Sequence, residues 1–234
     1  MAIALTNIGV NNGSGTTVAV TVPAGGVPAG ALICVLAYEV SGVTPTASGT
    51  LSDTINTYNN AKNSTNSSGG RWLTVFYAYN VLALTSANSI TYTLNNSGNF
   101  AAVSAFYATG IQTSSDPFDS VAAASAALPS GSPSVTSGTF AVPGELVVGA
   151  VGASGSVGSF TQDSTNAAYT TPPNIEAAFS SFFPVAGGSV VQSTTTALTY
   201  NPTAVTPWIA IIVSFKPLGA APPTPTPFFS LIPL

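Results

Sequence analysis

Residues 71–81 read "RWLTVFYAYNV". At a period of two, Trp72, Thr74, Phe76 and Ala78 fall on one side of this run, and Leu73, Val75, Tyr77 and Tyr79 on the other. A strand with one wet face alternates apolar and polar residues. Here both sides are largely apolar, so the run is expected to be a central strand covered on both faces or to lie at an interface. Residues 88–94, "NSITYTL", behave differently: Ile90, Tyr92 and Leu94 share one face, and Thr91 and Thr93 the other. That strand is expected to have one wet face.

Working outward, similar short runs recur between turn residues: "AIALTNIG" (2–9), "TTVAVTV" (16–22), "ALICVLAYEV" (31–40), "AAVSAFYAT" (101–109), "ELVVGAVGA" (145–153), "IEAAFSSFFPV" (175–185), "GSVVQSTTT" (188–196) and "PWIAIIVSF" (207–215). Shorter strands are expected near Ile55–Tyr58 and Phe160. Good helix formers are rare, and 18 prolines and 22 glycines punctuate the chain. This pattern is that of an all-β sandwich or barrel. With 234 residues the chain is long enough for one large β domain or two small ones.

Charged residues make up 4% of the chain, against roughly 25% in ordinary globular proteins. The surface is therefore expected to be polar but nearly uncharged, with little electrostatic steering. The three bases, Lys62, Arg71 and Lys216, are scattered. Nucleic-acid binding needs a basic stripe that releases phosphate counterions, so it is not expected. Cys34 is the single cysteine and sits inside an apolar run, which reads as a small core hydrophobe and allows no disulfide within the chain. The amino terminus carries no basic n-region followed by an apolar stretch, so no signal peptide is evident. No stretch approaches the roughly 18 apolar residues of a membrane helix.

The two halves of the chain resemble each other. "GALICVLAY" corresponds to "GELVVGAVG", "SDTINTY" to "QDSTNAAY", "RWLTVFYAYNV" to "IEAAFSSFFPV", "NSITYTL" to "SVVQSTTT" and "AAVSAFYATG" to "WIAIIVSFKP", in the same order and roughly 105 to 115 residues apart. Either each half is its own small sandwich, or the halves interleave as the sheets of one jelly roll. The connection "SSDPFDSVAAASAALPSGSPSV" has neither the charge nor the proline content of a linker, which favours one domain. The expected organisation is a single antiparallel jelly-roll β-sandwich over 1–217, with two pseudo-repeated halves at about 16–110 and 135–217, then a Pro-rich spacer and an apolar arm over 218–234.

"DTINTY", "FYAYNV", "AFYATGIQTSSDPFDSVAAAS", "PGELVVGAVG" and the closing "WIAIIVSFKP" together resemble jelly-roll (concanavalin A-like) β-sandwich domains of phage structural proteins and bacterial surface proteins. In that group a D-x-x-G-N-T-Y turn, a strand ending Y-A-x-N, a Y-S-G-L followed by P-L-D and a final A-x-x-x-F-x-P recur. The resemblance covers roughly residues 15 to 217. Ile55 replaces the glycine of the first motif, Ala108 and Thr109 stand where the serine falls, and Phe118 replaces the leucine of P-L-D. The resemblance implies a scaffold with several uses, and it assigns no chemistry.

With no histidine in the chain, Ser-His-Asp and Cys-His catalysis and His/Cys zinc sites are excluded. Asp116 and Asp119 in "SSDPFDSV" are close enough in sequence to share a calcium ion or a turn, the turn being the simpler reading. Asp53 and Asp163 fall at matching places in the halves and are expected to cap turns. Asp53 with Glu39, or Asp163 with Glu176, would make a glycosidase-like carboxylate pair, but nothing beyond the count supports it. No catalytic residue, metal or cofactor is assigned, and the chain is not expected to be an enzyme. Trp72, Tyr77, Tyr79, Phe106, Tyr107, Phe182, Phe183 and Trp208 form the pool from which a sugar-stacking platform would be drawn, although core packing is the commoner fate of strand aromatics.

The remaining feature is residues 221–234, "APPTPTPFFSLIPL". The proline-spaced run is expected to be an extended polyproline II spacer. It carries Phe228, Phe229, Leu231, Ile232 and Leu234 away from the last strand, and such a tail is expected either to fold back on its own domain or to dock on another chain. The expected function is a structural or decoration protein of a phage virion or similar surface assembly, anchored by this arm. Its partners would be copies of itself or other capsid-type subunits, and its location the virion surface or an extracellular assembly. The alternatives are a glycan-binding adhesin or tail-spike module and an extracellular filament subunit assembled by strand exchange. No nucleic-acid or membrane partner is expected.

Overall fold

The computed structural model describes residues 2–41, 48–66, 70–95, 99–119, 132–153, 161–163, 169, 177–179, 182–203 and 208–219; for 65, 66, 177–179 and 182–184 it describes the backbone alone. Every regular element among these residues is a strand. The first part of the chain gives β1 (Ala4–Gly15), β2 (Thr17–Thr21), β3 (Leu32–Val40), β4 (Thr50–Ser52), β5 (Asn59–Asn66), β6 (Arg71–Ala78), β7 (Ser89–Thr93) and β8 (Asn99–Thr109). The second gives β9 (Val135–Thr136), β10 (Glu145–Ala153), β11 (Ala177–Phe179), β12 (Phe182–Gln192), β13 (Thr199–Tyr200) and β14 (Trp208–Phe215). The chain is thus an all-β protein of antiparallel sheets.

Among the described residues four sheets form: β1-β8-β3-β6-β5, β11-β12-β10-β14, β2-β7-β4 and β13-β9. Side-chain alternation decides how they stack. On β3, Leu32, Cys34, Leu36 and Tyr38 share a face, in register with Tyr77, Val75 and Leu73 of β6 and with Ala108, Phe106 and Ala102 of β8. These residues form one core with Leu146, Val148, Ile209, Ile211 and Phe215 of the four-stranded sheet. The opposite face of the same strands, Ile33, Val35, Ala37, Phe76, Ala78, Val103 and Ala105, packs with Val18, Val20, Ile90 and Tyr92 of β2 and β7. The two large sheets therefore lie face to face, with the β2-β7-β4 sheet on the outer side of the first. On the far side of the second, Val135 and Tyr200 of β9 and β13 join its core. Each fully buried Leu or Ile in these layers contributes roughly 1.5–3 kcal/mol over an exposed one.

This stacking explains the doubly apolar sequence of β6, all of whose residues after Arg71 are buried. It also explains β7, in which Ile90 and Tyr92 are buried while Ser89 and Thr93 are exposed. Cys34 is a buried core residue, and burial pushes its thiol well above the ordinary range.

Two glycines let the layers approach. A Cβ at Gly152 of β10 would lie 2.2 Å from Cδ2 of Tyr38, so the tyrosine ring occupies the space of the missing side chain. On the other face of β10, a Cβ at Gly149 would lie 2.4 Å from the Tyr200 ring, which in turn packs against Tyr169 at a centroid distance of 4.9 Å. Tyr38 and Tyr200 are both fully buried.

The strands differ from the sequence reading in several places. The segment 175–185 is not one strand: β11 and β12 pair antiparallel with Phe179 opposite Phe182, and β12 runs on through residue 192. Ile55–Tyr58 is a turn rather than a strand, and the polar run Asn59–Asn66, which is not among the expected strands, is an edge strand. An edge strand with one partner needs no apolar face along its length, which is why its pattern carried no signal. β1 is longer than expected and pairs with β8 from Ala4–Thr109 to Gly15–Asn99. Both edges of the five-stranded sheet are interrupted by bulges, at Asn7/Gly9 in β1 and at Asn60/Lys62 in β5, a device that discourages edge-to-edge pairing. The short strand expected near Phe160 lies outside the described residues.

Candidate functional site

Six acids lie among the described residues, and each is engaged by the fold. Glu39, on the β3 face toward the small sheet, is fully buried. Its Oε2 accepts from the Tyr92 hydroxyl at 2.7 Å and from the Asn95 N–H at 3.3 Å, and its Oε1 from Asn99 Nδ2 at 2.6 Å. Burial, and next the charge of Glu39, push the Tyr92 hydroxyl well up. Asp53 follows β4 and closes the next turn. Its Oδ1 accepts from the N–H groups of Ile55 (2.8 Å) and Asn56 (2.6 Å), and its Oδ2 from Asn56 Nδ2 (2.8 Å) and the Tyr58 hydroxyl (3.0 Å). The expected cap is there, and the left-handed residue it holds is Thr54, at φ 69°. Asp163 works differently: its Oδ2 accepts from the N–H of Asn201 at 2.7 Å, tying its segment to the chain after β13.

Asp116 and Asp119 turn to different partners. Asp116 accepts from the Tyr77 hydroxyl at 2.8 and 3.0 Å and from the Phe118 N–H at 2.9 Å. Asp119 is buried, accepts from the Ala141 N–H at 2.9 Å and has Lys216 Nζ 3.9 Å away. Glu145, also buried, accepts from the Val142 N–H at 3.1 Å through Oε1. Burial first, and then the nearby charge of Asp119, push its carboxyl above the usual range. The Glu145–Asp119 proximity was not legible in sequence, since 26 positions separate the two. The proposed carboxylate pair of Glu39 and Asp53 is divided between separate hydrogen-bond networks, and Glu176 lies outside the described residues. Among the described residues no group of three or more His, Cys, Asp or Glu could hold a metal ion.

Of the aromatic pool, Trp72, Tyr77, Phe106 and Trp208 are buried, and the side chains of Phe182 and Phe183 lie outside the described residues. Tyr79 and Tyr107 remain half-exposed. Tyr77 stacks between Tyr79 (6.4 Å, 23°) and Phe118 (5.6 Å, 20°), with Phe215 tilted against it at 5.3 Å. Phe228, Phe229, Leu231, Ile232 and Leu234, the residues of the expected arm, also lie outside the described residues.

Tyr79 lines a cleft of about 420 Å³ with Asn80, Ile55, Asn56, Thr57 and Asn59. The Asp53 turn makes one wall. Asn56 fixes it to the opposite loop, its Oδ1 accepting from the Leu82 N–H at 2.7 Å and its Nδ2 reaching the Leu82 carbonyl at 3.4 Å. The other wall begins where β6 ends, and there Asn80 adopts φ 48°, a conformation asparagine tolerates better than most residues. Both walls come from motifs conspicuous in the sequence, "DTINTY" and "YAYN"; that they meet follows from the β5–β6 pairing.

Among the described residues no helix is long and apolar enough to cross a membrane. No protein-family model matches the chain, and no curated protein and no solved structure matches it.

Proposed function

We propose that the chain is a structural subunit, a body that takes its place in a virion-like or surface assembly and is anchored through its C-terminal arm. The observation that carries this reading is the use made of charge. Five of the six described acids are buried, and all six hold turns or sheets together. The bases Lys62, Arg71 and Lys216 are each half-buried. Copies of such a body lie side by side with little repulsion and little dependence on salt. The amino-terminal strand is committed to its own sheet and both edges of that sheet are bulged, which favours an arm over strand exchange as the means of attachment.

The finer fold reading belongs to the same proposal. The pairings β1–β8, β2–β7 and β3–β6 nest as a folded-back hairpin does when rolled into a jelly roll. β9–β13 and β10–β12 nest in the same way. The order β8-β3-β6-β5 has a counterpart in β14-β10-β12-β11. This supports two pseudo-repeated jelly-roll halves stacked by their large sheets, with β12 rather than residues 175–185 as the counterpart of β6.

The test transfers the arm. An unrelated monomeric carrier bearing residues 218–234 is mixed with the full chain and fractionated by size. The reading expects the carrier to co-elute with the chain's assemblies. A carrier that elutes as it does without the arm contradicts it.

A further inference from the structure

We infer that the cleft between the Asp53 turn and the end of β6 is a binding site for a neutral saccharide. The inference is independent of the assembly reading and rests on the chemistry of the six lining residues. None of them is charged, so neither a phosphate nor an acidic sugar finds a counter-ion there. The volume, about 420 Å³, falls within the roughly 300–1,000 Å³ of small-ligand sites. Tyr79 supplies an aromatic surface held in place by its stack on Tyr77. Such a surface suits the apolar C–H face of a pyranose ring while its hydroxyl reaches the polar edge.

The amides divide into two kinds. Asn56 spends both ends of its amide on Asp53 and Leu82, and so builds the wall rather than meeting a ligand. Asn59 and Asn80 line the cleft with no side-chain hydrogen bond to any described residue. Each offers a donor pair and an acceptor, the combination that matches two neighbouring sugar hydroxyls. Thr57, exposed, adds a further hydroxyl. Two non-glycine residues with left-handed backbone, Thr54 and Asn80, flank the cleft. They are the only such residues described, and strain of this kind is retained where the local shape matters.

The experiment presents the full chain to an array of neutral oligosaccharides, gluco-, manno-, galacto- and xylo-configured, and follows any positive by calorimetric titration. Two cleft variants are compared with a control. Asn80→Gly removes the amide while keeping the left-handed backbone at no steric penalty, and Tyr79→Ala removes the platform. Leu82→Ala, exposed and outside the lining, is the control. The inference expects binding that weakens about tenfold in Tyr79→Ala and severalfold in Asn80→Gly, with Leu82→Ala unchanged and the melting temperature of Asn80→Gly close to that of the parent. An array without a positive overturns it, and so does binding that Asn80→Gly leaves unchanged. Loss of saccharide binding with assembly intact, or the reverse, separates this inference from the assembly reading.

Discussion

The stacking of the two large sheets makes its sharpest prediction at Gly152. An alanine there would place its methyl 2.2 Å from Cδ2 and 2.6 Å from Cε2 of Tyr38, where carbon atoms ordinarily approach to about 3.5–4.0 Å. Tyr38 is fully buried on β3, between Leu73 of β6 and Ala102 of β8, so its ring has no solvent into which to swing. Overpacking of a filled core generally costs about 1–3 kcal/mol. With the whole ring in the way, Gly152→Ala is placed at the upper end, about 3 kcal/mol. At this chain length that lowers Tm by about 6–12 °C. Tyr38→Ala alone leaves a cavity and costs about 3–5 kcal/mol. The two changes together relieve the clash, because the new methyl enters the vacated space. The double variant is then more stable than the sum of the single effects by about 2 kcal/mol, within the range seen for residues in contact. Urea unfolding of the four proteins measures this coupling. A cost for Gly152→Ala below about 1 kcal/mol, or strictly additive effects, would refute the face-to-face packing.

Other outcomes follow from the acids and the thiol. Because the folded Glu145 carboxyl sits above its usual range, near 4.3 in an unfolded chain, the folded state takes up a proton more readily than the unfolded one. The penalty is absent at low pH, where both states are protonated, and it appears as pH rises through the folded value. Glu145→Gln is therefore expected to match the parent in acid and to exceed it in Tm at neutral pH; a variant less stable at pH 7 contradicts this. Asp53→Ala removes the acceptor of two backbone and two side-chain hydrogen bonds. It should cost about 3 kcal/mol, whereas Asp116→Asn, at an exposed acid, should cost under about 1 kcal/mol. Cys34 should resist aromatic disulfide reagents in native protein and react only at the rate of global unfolding; rapid labelling would contradict its placement.

The sequence was most informative where both faces of a strand are covered. "RWLTVFYA" and "LICVLAYEV" read as buried strands, and "WIAIIVSF" as a strand, because burial on two sides leaves long apolar runs without polar alternation. It was least informative at edges and hairpins. β5 is made of Asn, Ala, Lys, Ser and Thr, and its place as a strand comes from tertiary pairing with β6 rather than from an apolar pattern of its own. β11 and β12 fall inside a run that reads as one strand, with only Ser180 and Ser181 between Phe179 and Phe182 and no glycine or proline at that point, so no strong turn signal separated them. The capping aspartate was legible as an Asp opening a turn. The cleft was not, because its second wall comes from Tyr79 and Asn80, more than 20 positions further along the chain from the turn. The proximity of Glu145 to Asp119 had no periodic signal for the same reason.

The central claim, a β-sheet body assembled through its C-terminal arm, is tested most directly by mass in solution. Light scattering after size exclusion compares the full chain with one ending at Gly219. That cut keeps the pairing of Pro217 with Ile111 and the bond from the Leu218 N–H to the Gly110 carbonyl, and with them every described strand. The account predicts a multiple of 23.3 kDa for the full chain and a folded monomer for the shortened one. Identical masses for the two would contradict it.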